Sequence, residues 1–131
     1  MNSIRRNAPP LSIALFTLSC VISGCEGGSP APPQALLASR AARVEGARLF
    51  AAHCAICHGE SGDGEGRRRS FMTPLPANLT LPPWSTRAGA PRTFLAIRDG
   101  VPETAMASWP DLSDRQTWQL VAYIETLGQG Q

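Results

Sequence analysis

Between His58 and Ala90 no regular element of any length fits. Gly59, Gly62, Gly64 and Gly66 are followed by Arg67-Arg68-Arg69 and then by Pro74, Pro76, Pro82 and Pro83, and punctuation of this kind reads as loop. A chain with so long an irregular stretch must find its stability in the flanks, and the flanks are short. Before it, a proline-free run of good helix formers from near Ser39 to near Cys54 carries Ala41, Val44, Leu49 and Phe50. After it, Pro91 suits the first turn of a short helix bearing Phe94, Leu95 and Ile97, which Gly100 can end with a positive φ. The last segment is the clearest helix. Ser113 and Gln116 have capping-box spacing, and Leu120, Val121, Ile124 and Leu127 fall on one face before Gly128. With no sustained period-two alternation, no hairpin turn signal and no internal repeat, the fold class is mostly α.

Three to four short helices among long loops bury little apolar surface, and aromatic residues make up only 6% of the chain. Small domains in this position commonly rely on a cofactor or a cross-link. The 131 residues suffice for one such domain and exclude a multidomain enzyme.

The first 24 residues have the pattern of a removable export signal. Arg5 and Arg6 precede an apolar run from Leu11 to Ile22, too short to span a bilayer, that ends in Ser23-Gly24. The stretch Ile22-Ser23-Gly24-Cys25 resembles a bacterial lipobox, which implies diacylglyceryl modification of Cys25. Cys20 is the poorer match, because Thr17 stands where that pattern wants an aliphatic residue. Acyl chains at about 0.8 kcal/mol per buried methylene would hold the chain on a membrane without spanning it. Glu26 after the lipidated Cys leans toward the outer membrane over the inner. Residues 25–38, with the run Gly-Gly-Ser-Pro-Ala-Pro-Pro-Gln, read as a flexible tether, leaving 39–131 as the domain. Loss of Arg5 and Arg6 brings the 12 basic residues, all Arg, level with the 10 acids. A near-neutral product offers no basic face for nucleic acid.

Export to an oxidising compartment puts thiols to covalent use, and Cys54 and Cys57 remain. Cys54-Ala55-Ile56-Cys57-His58 is the C-x-x-C-H attachment signature of c-type haem. Two thiols three positions apart can each add to one vinyl group, and the next residue then places an imidazole under the iron. A thioredoxin-like pair would want a βαβ context, a zinc site a second Cys or His pair, and a disulfide across two residues is sterically tight. The candidates for a second axial ligand are Met72, Met106 and His53. His53 abuts the attachment sequence and reads as a helix-end surface residue. Met72 reads equally as wall packing. Met106 lies in a short irregular run of small residues, Gly100 to Met106, that lets backbone approach a haem face, and it is the expected ligand.

Over nearly all of residues 39 to 128 the chain resembles the class I c-type cytochromes, small single-haem bacterial carriers. The matching features are Gly46 and Phe50 before the attachment motif, Tyr123 in the last helix, the run Gly100 to Met106 with Ala107-Ser108-Trp109, and Pro76-Ala77-Asn78-Leu79-Thr80. The resemblance implies that Gly46, Phe50 and Tyr123 let the first helix cross the last. It also implies that a prolyl carbonyl, of Pro74 or Pro76, holds the proximal His58. Two departures stand out. Ala107 replaces the proline that often follows the ligand Met, which loosens the expected loop. No lysine ring is present, so a docking face would use apolar contacts or Arg67, Arg68 and Arg69, a cluster that reads equally as a solvated loop.

The expected function is a membrane-tethered periplasmic one-electron carrier with one covalent haem c and its iron, monomeric, and exchanging electrons with redox proteins. The alternative is a fixed haem c subunit of an oxidase, reductase or dehydrogenase complex. A haem-based sensor or peroxidase would require Met106 to leave the iron.

Overall fold

A computed structural model describes residues 31–129. The expected signal segment, Cys25 and residues 26–30 lie outside the described residues. The helices are α1 (Gln34–Leu37), α2 (Arg40–His53), α3 (Ala55–His58), α4 (Ala90–Asp99) and α5 (Asp114–Leu127), with single 3-10 turns at Arg69–Phe71 and Arg87–Gly89. No strand occurs among the described residues. The mostly α fold class holds.

Each long helix starts where its local chemistry dictates. The Ser39 hydroxyl accepts from the Ala42 N–H and opens α2, Pro91 occupies the first turn of α4, and Ser113 and Gln116 form a complete capping box on α5. Such caps satisfy N–H groups that the helix itself leaves unpaired. Ser113→Ala should therefore cost about 1 kcal/mol. In a domain of this size that is roughly 4–8 °C of melting temperature, measurable by thermal unfolding followed by circular dichroism.

The core forms where α2 crosses α5. A Cβ placed on Gly46 would lie 1.9 Å from the Gln119 carbonyl oxygen and 2.9 Å from Tyr123 Cβ, so the two helices touch backbone to backbone. One turn on, the Phe50 ring leans on Tyr123 with centroids 5.3 Å apart. The stripe read from the sequence faces inward, with Leu120, Val121 and Ile124 buried and Leu127 half-buried. Helix α4 joins through Phe94, stacked on Trp118 at 4.4 Å.

The domain boundary expected at residue 39 moves toward the N-terminus. Leu37 is 1% exposed, α1 packs on α2 and α5, and Arg87 reaches both Gln34 at 3.4 Å and Glu125 at 3.2 Å. The Leu36-Leu37 pair finds apolar partners that the surrounding Pro and Gly composition does not announce, so the packed domain includes α1. Glu125 is itself buried, and its Oε1 has no hydrogen-bond partner among the described residues. Burial raises the Glu125 carboxyl pKa, while the Arg87 charge opposes the shift.

Candidate cofactor-binding site

One cavity of about 480 Å³ opens between the end of α2, α3, the loop from Arg68 to Leu79, α4 and the loop from Val101 to Trp109. That size is within the usual range of cofactor sites. Its wall is largely apolar, and the charged side chains on it are Arg68 and Arg92, with no carboxylate. The Arg92 guanidinium lies over the Trp84 ring at 4.8 Å.

The sequence Cys54 to His58 shapes one side. The Cys54 carbonyl ends α2 and accepts from both the Cys57 N–H at 3.0 Å and the His58 N–H at 2.9 Å, so one tight turn carries all three side chains. Residues three apart on such a turn share a face, and Cys54, Cys57 and His58 all line the cavity. No disulfide joins Cys54 and Cys57. Burial, with a smaller contribution from Cys57, pushes the Cys54 thiol up to about 12, the reverse of the low-pKa thiolate that disulfide exchange uses. No group of three or more His, Cys, Asp or Glu among the described residues could hold a metal ion.

His58 is held by its other nitrogen. Nδ1 stands 3.0 Å from the Ala77 carbonyl oxygen, and because a carbonyl only accepts, Nδ1 carries the proton and Nε2 keeps a lone pair. Burial holds the imidazole pKa below its ordinary value, with the Ala77 carbonyl acting in the opposite sense. The ring is thus neutral at neutral pH, the form that ligates iron.

The prolyl carbonyl expected to hold His58, from Pro74 or Pro76, is replaced by that of Ala77. The Pro76 carbonyl oxygen instead stands 2.9 Å from where a Cβ on Gly64 would sit. The chain turns just after Ala77, where the Asn78 Oδ1 accepts from the Thr80 N–H at 2.9 Å and from its hydroxyl at 2.6 Å. The Leu79 N–H meanwhile donates to Gly62 at 2.7 Å. These contacts aim the carbonyl one residue beyond the proline.

Met106 and Met72 are both half-buried and both line the cavity. Met72 belongs to the loop that carries Ala77, the residue holding His58. Met106 comes from the loop between α4 and α5, which starts at Gly100 (φ 76°). Despite Ala107, that loop is closed. The Val101 N–H donates to the Met106 carbonyl at 3.0 Å, the Met106 N–H to Thr104 Oγ1 at 3.1 Å, and the Thr104 hydroxyl to the Val101 carbonyl at 2.8 Å. His53, at the end of α2, is exposed, lines the rim of the cavity and packs its ring 5.1 Å from Trp109.

Paired thiols, a neutral imidazole with one free nitrogen, thioethers on the walls and two arginines in an apolar chamber fit haem. The fold and this site define a c-type cytochrome. Residues 41–124 match the family model described as cytochrome c oxidase, cbb3-type, subunit III, and the chain belongs to that family. It is 38% identical over 94 residues to the cbb3-type cytochrome c oxidase subunit FixP of Azorhizobium caulinodans (strain ORS 571), an alignment covering 69% of this chain and 29% of that protein. The chain thus spans less than a third of that relative's length. Its fold is similar to a chain of the Kuenenia stuttgartiensis reducing HAO-like protein complex Kustc0457/Kustc0458, with a TM-score of 0.61 and 23% identity over 77% of this chain and 47% of the other. The protein carries covalently bound haem c with its iron.

Proposed function

We propose that this chain is a membrane-tethered, periplasm-facing one-electron carrier, with its haem attached through Cys54 and Cys57 and its iron ligated by His58 and Met106. The observation that carries the reading is the convergence of these four side chains on one apolar cavity with His58 locked in the ligating tautomer by Ala77. When bound, the haem supplies reversible one-electron exchange at iron. Cys54 and Cys57 would fix the cofactor's position at the turn that opens α3, and the Ala77 carbonyl keeps His58 from rotating, with its proton on Nδ1 and Nε2 left to the iron. Met106 offers a soft thioether, which favours the ferrous form and raises the potential. Apolar walls work in the same direction, because they disfavour the extra positive charge of ferric iron. Held by the Ala77 hydrogen bond and the closed Val101–Met106 loop, His58 and Met106 would keep rearrangement small.

Cys25 provides the anchor in this reading, and no helix among the described residues is long and apolar enough to cross a membrane. Cys25→Ser should move the protein from the membrane fraction to the soluble periplasmic fraction with its visible spectrum unchanged. Retention of Cys25→Ser on membranes would remove the lipid-anchor element. The names of the family and of the Azorhizobium relative favour a second reading, a haem c subunit fixed in an oxidase complex. Purification in mild detergent without added salt separates the two. A carrier comes alone, whereas a subunit brings stoichiometric partners.

A further inference from the structure

One segment at the rim of the cavity exposes apolar surface that the fold does not use. Phe71 is 87% exposed and Leu75 52%, with Pro74 also exposed between them. Pro74 and Leu75 line the cavity together with Ile56 of α3. Single exposed apolar residues are ordinary, but a cluster at the edge of a ligand chamber marks an interaction site. Immediately before it, Arg67 and Arg68 are exposed and form no ion pair among the described residues. Their neighbours are already matched. Arg69 pairs with Glu65 at 3.1 Å, and Asp63 is held in its turn by the Ser61 hydroxyl at 2.7 Å and the Glu65 N–H at 2.9 Å.

We propose that residues 67–75 form the docking surface for an acidic redox protein, with Phe71 and Leu75 against an apolar patch and Arg67 facing its carboxylates. The proposal rests on the electron-transfer reading above. Charge complementarity selects the partner: Arg67, exposed and outside the cavity wall, sets a cation without an ion pair among the described residues beside an apolar centre, which attracts a surface of the opposite sign and repels a basic one. A bilayer is the wrong occupant, because it would seal the same rim against any partner. The anchor end leaves elsewhere, since α1 packs on α2 and α5 and none of its residues lines the cavity.

Arg67 and Phe71 lie outside the cavity wall, so substitutions there test docking without touching the cofactor. In stopped-flow experiments the reduced holoprotein would be mixed with an acidic blue-copper protein. One electron then passes from ferrous iron to Cu(II), giving ferric iron and Cu(I) with no bond made or broken. A basic mitochondrial cytochrome c serves as the opposite-charge acceptor. The second-order rate constant with the copper protein should fall with rising salt. Arg67→Glu should lower it about threefold to tenfold at low salt and raise the rate with the basic acceptor. Phe71→Ser should lower it by a similar factor at every salt concentration. The visible spectra and potentials of both variants should match those of the parent.

Unchanged rates in variants with unchanged spectra would overturn the docking surface while leaving the electron-transfer reading intact. A parent protein without a c-type spectrum, or inert to both acceptors, would overturn both. Sedimentation of the Cys25→Ser protein with phosphatidylglycerol vesicles provides the remaining check. Vesicle binding that Phe71→Ser abolishes, with electron-transfer rates untouched, would assign the patch to the membrane and refute the proposal.

Discussion

Met106→Ala should turn an inert haem into one that binds carbon monoxide. The thioether comes from a loop closed by Val101, Thr104 and Met106 hydrogen bonds, so loss of the side chain leaves the loop in place and removes only the ligand. The long-wavelength methionine-to-iron band should disappear and the reduced protein should take up carbon monoxide. The midpoint potential should drop by on the order of 0.1 V or more, a modest part of the roughly 0.8 V over which axial ligands act. Met72→Ala is the control, because Met72 lines the same cavity but belongs to the segment that buttresses His58. It should keep the band and stay inert to carbon monoxide. If Met72→Ala abolishes the band and Met106→Ala does not, the two methionines have been assigned the wrong way round. Spontaneous carbon monoxide binding by the parent would instead favour a sensor or peroxidase, for which Met106 must leave the iron.

The second large effect is expected at the helix crossing. Gly46→Ala puts a methyl group where the Gln119 carbonyl oxygen already is, at 1.9 Å, with Tyr123 Cβ at 2.9 Å. Backbone cannot rotate away as a side chain can, so α2 and α5 must separate along the contact that positions Leu49, Phe50, Leu120 and Val121. Overpacking in cores typically costs 1–3 kcal/mol, and this site should lie near the upper end at about 3 kcal/mol. At 4–8 °C per kcal/mol for a domain of this size, the holoprotein should lose roughly 10–25 °C of melting temperature. Val44→Ala, two residues away but 64% exposed, should change stability by no more than about 0.5 kcal/mol. A Gly46→Ala melting point within a few degrees of the parent would mean that the helices do not cross at this glycine.

Features written in side-chain chemistry were legible in the sequence, and features written in backbone were not. The Ser113–Gln116 box, the α5 stripe and Pro91 in the first turn of α4 are local signals, and each sits where it was expected. Gly46, Phe50 and Tyr123 came from family resemblance, and the observed crossing supplies the physical reason for the pattern. The acceptor of the His58 proton was misplaced because every residue offers a carbonyl. The prolines drew attention to themselves, while the Asn78 turn and the Leu79–Gly62 hydrogen bond decide that Ala77 is aimed at the ring. Helix α1 was hidden for a related reason, since Leu36-Leu37 amid Pro and Gly becomes core only once α5 lies beside it. The approach of Arg68 and Arg92 to one cavity likewise depends on elements about 24 residues apart in the chain and has no local signature.

A pyridine haemochrome assay, paired with reduced and oxidised spectra of the protein matured with a haem-attachment system, tests the assignment of Cys54, Cys57, His58 and Met106 most directly. The expected result is a non-extractable c-type chromophore, one per chain, with a methionine band that carbon monoxide does not perturb. A colourless product, or haem that acidified organic solvent extracts, would contradict covalent attachment at Cys54 and Cys57 and return both thiols to other chemistry.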